Sequence, residues 1–153
     1  MPSAHRICKG VYIGGLVALL DVGVMSKIGG VLSLVEFGKV KEEIFPLCYD
    51  ERPYKRIPLE DRQLSLLEES LEEMFQFIEE AKAGNVLIHC VEGHSRSATV
   101  AAAFLLWRYP STFSTVELAV EHVHRKHPGA KINSFYQDFL QAYFFSTSST
   151  EDS

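Results

Sequence analysis

One stretch constrains the fold more than any other: Asn85-Val-Leu-Ile-His89, then CVEGHSR at 90–96, then a run from Ser97 to Tyr109 that is apolar on nearly every side. A short β-rich apolar run bounded by turn residues reads as a buried strand. A helix without a polar face must itself be buried, and Pro110 ends it. A buried strand feeding a buried helix through a seven-residue loop calls for an α/β domain with a largely parallel central sheet.

The rest of the chain agrees. Lys9 to Ile13 reads as a strand closed by Gly14-Gly15, and Val31 to Val35 as a second, buried one. Leu16 to Ile28 has helical spacing interrupted at Gly23, which splits it into two short helices, and Gly29-Gly30 turns the chain. Tyr54 to Leu59 is extended, since Pro58 keeps the preceding residue out of the helical region. Leu64, Leu67, Leu71, Met74, Phe75, Ile78 and Ala81 define the apolar face of a long helix with glutamates elsewhere. Ser65 with Glu68 is a candidate capping box at its start, and Gly84 is its stop. Ser114 with Glu117 is a second box, opening a helix through Lys126 that Pro128-Gly129 breaks. Ile132 to Phe145 is the last helix, and the polar tail from 146 to 153 is expected to be disordered. Residues 36 to 53 carry no clear pattern. No repeat or linker divides the 153 residues, so one domain over 1–145 is expected.

The loop at 90–96 carries the chemistry. It joins the carboxyl end of a strand to a helix N-terminus, where unpaired N–H groups and the helix dipole favour an anion. Gly93 lets the backbone curl into a nest of N–H donors. Cys90 stands at the entrance, and a helix N-terminus stabilises a thiolate there. Arg96 closes the loop with a planar fork that suits two phosphoryl oxygens. An alkoxide or phenolate leaves poorly without a proton. Glu60 and Asp61, just before the long helix, are the candidate acids; Asp61 is preferred, with capping of the following helix as its alternative role.

These residues carry a resemblance. HCVEGHSRSAT, 89 to 99, resembles the signature loop of the protein tyrosine phosphatase superfamily, and with YKRIPLED, 54 to 61, it is similar to the dual-specificity branch. KGVYIGG near the start and HPGAKINSFYQDFLQAY at 127 to 143 extend the likeness over roughly 7–145, at the size of the small atypical members. The resemblance implies the cysteine-dependent phosphatase fold, a central mostly parallel sheet flanked by helices. It implies hydrolysis of phosphotyrosine and phosphoserine or phosphothreonine through a phosphocysteine intermediate, with no metal and no cofactor. Position by position, it implies that Cys90 attacks phosphorus. Val91, Glu92, Gly93, His94, Ser95 and Arg96 hold the phosphoryl oxygens. Asp61 is the acid and then the base, and Ser97 assists thiolate departure. His89 and Asn133 support the loop, although Asn133 could equally cap the final helix, and Ser97 a helix N-terminus.

Departures from the pattern bear on substrate. The loop interior has no Lys or Arg, which disfavours phosphoinositides, with His94 leaving that route slightly open. Partners are then phosphorylated proteins, a protein kinase among them. The net charge of −5 argues against nucleic acid, and the longest apolar stretch falls short of a membrane span. Three unpaired cysteines and no visible targeting signal fit a reducing compartment, cytoplasmic or nuclear as well. His122, His124 and His127 with Arg125 and Lys126 read as a solvated basic face rather than a metal site. Cys48 is a candidate partner for Cys90 under oxidation, weighed against an inert thiol.

Overall fold

A computed structural model describes residues 2–36, 38 and 51–146. Cys48, the indistinct segment around it, and the tail beyond Ser146 lie outside the described residues.

Among the described residues, five strands form one sheet in the order β1-β2-β5-β3-β4: β1 (Ala4–Cys8), β2 (Val11–Gly14), β3 (Gly30–Ser33), β4 (Tyr54–Arg56) and β5 (Val86–His89). All neighbours are parallel except β1, which pairs antiparallel with β2. The mostly parallel sheet expected from the sequence is therefore present. Strand β1 was not anticipated. Its residues AHRIC mix polar and apolar types, and it joins the sheet by a tight turn at Gly10 (φ 79°).

Each strand serves both faces of the sheet with period two. Val11, Ile13, Leu32, Val86 and Ile88 face the larger core, which is covered by α3 (Leu64–Ala81), α4 (Arg96–Arg108), α5 (Val116–Lys126) and α6 (Ser134–Phe145). Tyr12, Val31 and Leu87 face a smaller one covered by α1 (Leu16–Leu19) and α2 (Val22–Met25), the two short helices that Gly23 suggested. Helix α4 runs through the larger core, with Ser97 to Leu106 all buried. Phe75 of α3 stacks on Trp107 of α4 at 5.0 Å between ring centroids, locking the two helices together.

Three local signals resolve differently from their sequence reading. Helix α3 starts one residue before Ser65, after Gln63, so no Ser65–Glu68 box forms. Gln63 N–H already donates to the Glu60 carbonyl, turning the chain before Ser65 is reached. Helix α5 is capped by Thr115, whose Oγ1 accepts from Leu118 N–H, not by Ser114. Gly84 falls inside a 3₁₀ turn, Lys82–Gly84, and Asn85 takes the positive φ of 72°. An asparagine tolerates that conformation nearly as well as glycine.

Candidate active site

The parallel register decides which loops meet. Gly14 and Ser33 both align with His89, and Arg56 aligns with Ser33. The segments that leave the carboxyl ends of β2, β3, β4 and β5 therefore converge at one edge of the sheet.

The loop 90–96 rests on the turn at Gly14-Gly15. Cys90 N–H donates to the Gly14 carbonyl at 3.4 Å and Leu16 N–H to the Val91 carbonyl at 2.9 Å. Glycine is required on both sides of this contact. A Cβ on Gly15 would lie 2.8 Å from the Glu92 carbonyl, and one on Gly93 (φ 80°) 2.6 Å from the backbone of Gly14. The curl expected of Gly93 is present, and it aims the Gly93 N–H at Cys90 Sγ, 3.2 Å away. Ser97 Oγ lies 3.4 Å from the same sulfur. Ser95, not Ser97, is the residue before α4. Its side chain makes no cap, so the first-turn N–H groups are left for an anion. Ser97 is wholly buried inside the helix beside the thiol.

Arg96 projects into an open cleft of about 270 Å³ lined by Glu36, Asp61, Val91, Glu92 and Arg96 itself. One of its nitrogens, Nη1, donates to Glu36 Oε1 at 2.6 Å and to the Leu59 carbonyl at 2.7 Å. Among the described residues, Nε and Nη2 have no hydrogen-bond partner and are available to a ligand. Burial works against the guanidinium charge, but Glu36, Cys90 and Asp61 more than offset it and hold the group above its usual range. Glu36 is thus a member of the site that sequence reading missed. It is held in turn by Arg56, which donates to the Val35 and Glu36 carbonyls.

Asp61 lines the cleft with the loop residues Val91 and Glu92, whereas Glu60 lines a small neighbouring recess with Gln63 and Leu67 that shares Arg96 with the cleft but reaches neither loop residue. Neither caps α3, which removes the alternative role considered for Asp61. Asp61 Oδ1 accepts from Tyr136 Oη–H at 2.6 Å, and the same phenol oxygen accepts from Arg62 N–H at 2.8 Å. Burial, then the bond to Asp61, pushes the phenol pKa up to about 12, so Tyr136 remains a donor. Arg62 takes a positive φ of 66° and stacks its guanidinium over Phe135 at 4.9 Å. Residues 135 and 136 thereby hold the loop that carries Asp61, a role with no signal in the sequence beyond an amphipathic helix.

His89 is buried and its Nδ1 lies 3.4 Å from the Cys90 carbonyl oxygen. Asn133 is placed at the start of α6, where its Oδ1 accepts from Tyr136 N–H; its contact is with that helix rather than with the loop. Of the expected solvated basic face, Arg125 and Lys126 are exposed, but the three histidines are tied to other elements. His122 Nε2 is 2.8 Å from the Ile7 carbonyl oxygen, and His124 Nε2 accepts from Ile132 N–H. His127 is buried, with Nε2 2.9 Å from the Gly93 carbonyl oxygen. Spacing along one helix could not reveal these partners, which belong to other elements. Among the described residues, no cluster of three His, Cys, Asp or Glu side chains could hold a metal ion.

Comparison with known proteins shows the family of the chain. The family model for the dual specificity phosphatase catalytic domain matches residues 24–144. The chain is 30% identical over 135 residues to dual specificity protein phosphatase 1 of Arabidopsis thaliana, covering 87% of this chain and 65% of that protein. It is 26% identical to the tyrosine-protein phosphatase YVH1 of Saccharomyces cerevisiae, covering 90% of this chain and 42% of that protein. The chain thus spans under two thirds of the length of either relative. Among solved structures, Tk-PTP in its active form superposes with a TM-score of 0.76 at 26% identity, covering 95% of this chain and 98% of that one.

Proposed function

The chain belongs to the dual specificity phosphatase family, and from that premise we propose that it is a cysteine-dependent protein phosphatase whose nucleophile is Cys90. One observation carries the reading: a sulfur held by a loop N–H, a guanidinium with two open nitrogens and a carboxylate on a separate loop all border one cleft.

In the first step the Cys90 thiolate attacks phosphorus and the P–O bond to the substrate breaks. Asp61 gives its proton to the departing oxygen, while Arg96 Nε and Nη2 and the amides of 91–96 bind the non-bridging oxygens. In the second step water attacks the phosphocysteine and Asp61 takes its proton. The P–S bond then breaks, releasing inorganic phosphate and the thiolate, which the Ser97 hydroxyl receives as a donor. Tyr136 orients Asp61, and Glu36 with the Leu59 carbonyl orients Arg96.

Phosphorylated proteins, protein kinases among them, are the substrate class we assign. Glu36, Asp61 and Glu92 line the cleft against one cation, Arg96. Three carboxylates around a single phosphoryl site disfavour a headgroup bearing several phosphates. A reducing compartment, cytoplasm or nucleus, suits a nucleophile that must stay a free thiol. The test is hydrolysis of an aryl phosphate by the purified protein with chelator present. Turnover that vanadate blocks and Cys90→Ser abolishes supports the reading; turnover that survives the substitution overturns it.

A further inference from the structure

The back of the phosphate loop is closed by two histidines that the mechanism does not use. Where α5 ends, His127 places Nε2 2.9 Å from the Gly93 carbonyl oxygen and Nδ1 2.7 Å from Nδ1 of His5 on β1. The two rings meet edge to face with centroids 4.8 Å apart. A carbonyl oxygen only accepts, so Nε2 of His127 carries a proton, and with a neutral ring Nδ1 accepts from His5. Burial, reinforced by the neighbouring His5 and His94, pushes the His127 pKa down and keeps the ring neutral. Four residues on, Lys131 N–H donates to the His94 carbonyl at 2.6 Å. Residues 127 and 131 therefore hold two successive loop carbonyls from behind.

In a trans peptide the C=O and N–H point in opposite directions. Turning the Gly93 and His94 carbonyls toward 127 and 131 turns the N–H groups of His94 and Ser95 the other way, toward the cleft. A carbonyl that accepts a hydrogen bond also makes the N–H of its own peptide a stronger donor. The N–H of Gly93, one peptide earlier, is the one that reaches Cys90 Sγ.

We propose that His127, held in its tautomer by His5, is a positioning residue for the phosphate loop, fixing the Gly93–His94 peptide so that its N–H faces the bound phosphoryl group. The inference rests on the phosphatase reading of the cleft. Its removal weakens oxyanion binding and the grip on the thiolate, without removing any group that touches substrate.

The experiment compares wild type with His127→Ala, His127→Gln and His5→Phe. Vanadate binding is measured by titration calorimetry, Cys90 alkylation by iodoacetamide at pH 6.5, and folding by circular dichroism and thermal melting. His127→Ala is expected to weaken vanadate binding and slow alkylation, each about tenfold. Glutamine, which can donate from the Nε2 position, restores most of both. His5→Phe leaves the donor in place but frees its orientation, giving a loss of about threefold. A folded alanine variant within about twofold of wild type in both readouts, or a folded glutamine variant no better than alanine, overturns the proposal. If the alanine variant does not fold, His5→Phe decides: vanadate binding at the wild-type level overturns it. A wild type that neither binds vanadate nor hydrolyses aryl phosphate overturns the phosphatase reading instead, and the alkylation comparison still tests the brace.

Discussion

Tyr136 donates a hydrogen bond from its hydroxyl to Asp61 and accepts one from the Arg62 N–H on the same oxygen, so one phenol fixes both the proposed acid and the strained residue beside it. Removing that oxygen leaves the Asp61 carboxylate free to rotate off the leaving group. Tyr136→Phe should therefore lower kcat about tenfold on an aryl phosphate with a poor leaving group. It should leave one with a good leaving group, which needs no proton, nearly unchanged. Steady-state kinetics on the two substrates checks this, and an equal loss on both would assign Tyr136 to the fold alone. Asp61 could be proposed from sequence because an extended segment ends beside a helix start. Tyr136 could not, because it meets Asp61 from 75 residues away.

At the scale of elements, the unit of function is the β5–loop–α4 segment seated on the Gly14-Gly15 turn. Its seat is backbone against backbone, which neither partner can widen by changing rotamer. Gly93→Ala would force a Cβ into Gly14 at 2.6 Å and an L-residue into a φ of 80°. Such strain costs about 1–3 kcal/mol where the conformation is kept. The loop is thus expected to abandon its curl: vanadate binding and turnover disappear while α-helical circular dichroism persists. Retained vanadate affinity in Gly93→Ala would show that the curl is not needed. The strand, the loop and the buried helix were legible from sequence because they are contiguous and their period and apolarity are local. The caps were not. Ser65 and Ser114 both meet the compositional rule, yet α3 starts after the turn closed by Gln63 N–H on the Glu60 carbonyl and α5 after Thr115, which takes the cap itself.

The whole molecule places His89 at the sheet centre, fully buried between β2 and β3. Burial lowers its pKa to about 4, against the opposing bond to the Cys90 carbonyl and with help from the Arg56 charge. The unfolded chain binds a proton at this histidine near pH 6.5, while the native state stays neutral until about pH 4. Between those values the unfolded state holds more protons, so stability is fully present above pH 6.5 and falls as pH drops. The loss from pH 7 to pH 5 should be about 2 kcal/mol. Urea denaturation at the two pH values measures it. His89→Asn should flatten the dependence, and an unchanged slope in that variant would place its origin elsewhere.

By itself the sequence determined the fold class and the order of most elements, and it singled out Cys90, Arg96 and Asp61 as the residues to which the proposed chemistry is assigned. Those features are written in local pattern: period, apolarity, and the fixed interval from Cys90 to Arg96. Tertiary structure alone decided what holds these groups in place. Glu36 reaches Arg96 across 60 residues, Tyr136 reaches Asp61 across 75, and His5 reaches His127 across 122. The physical reason is that a side-chain hydrogen bond depends on two atoms arriving within about 3 Å with their donors aligned. Between distant elements, only the register of the parallel strands and the packing of the helices sets that distance.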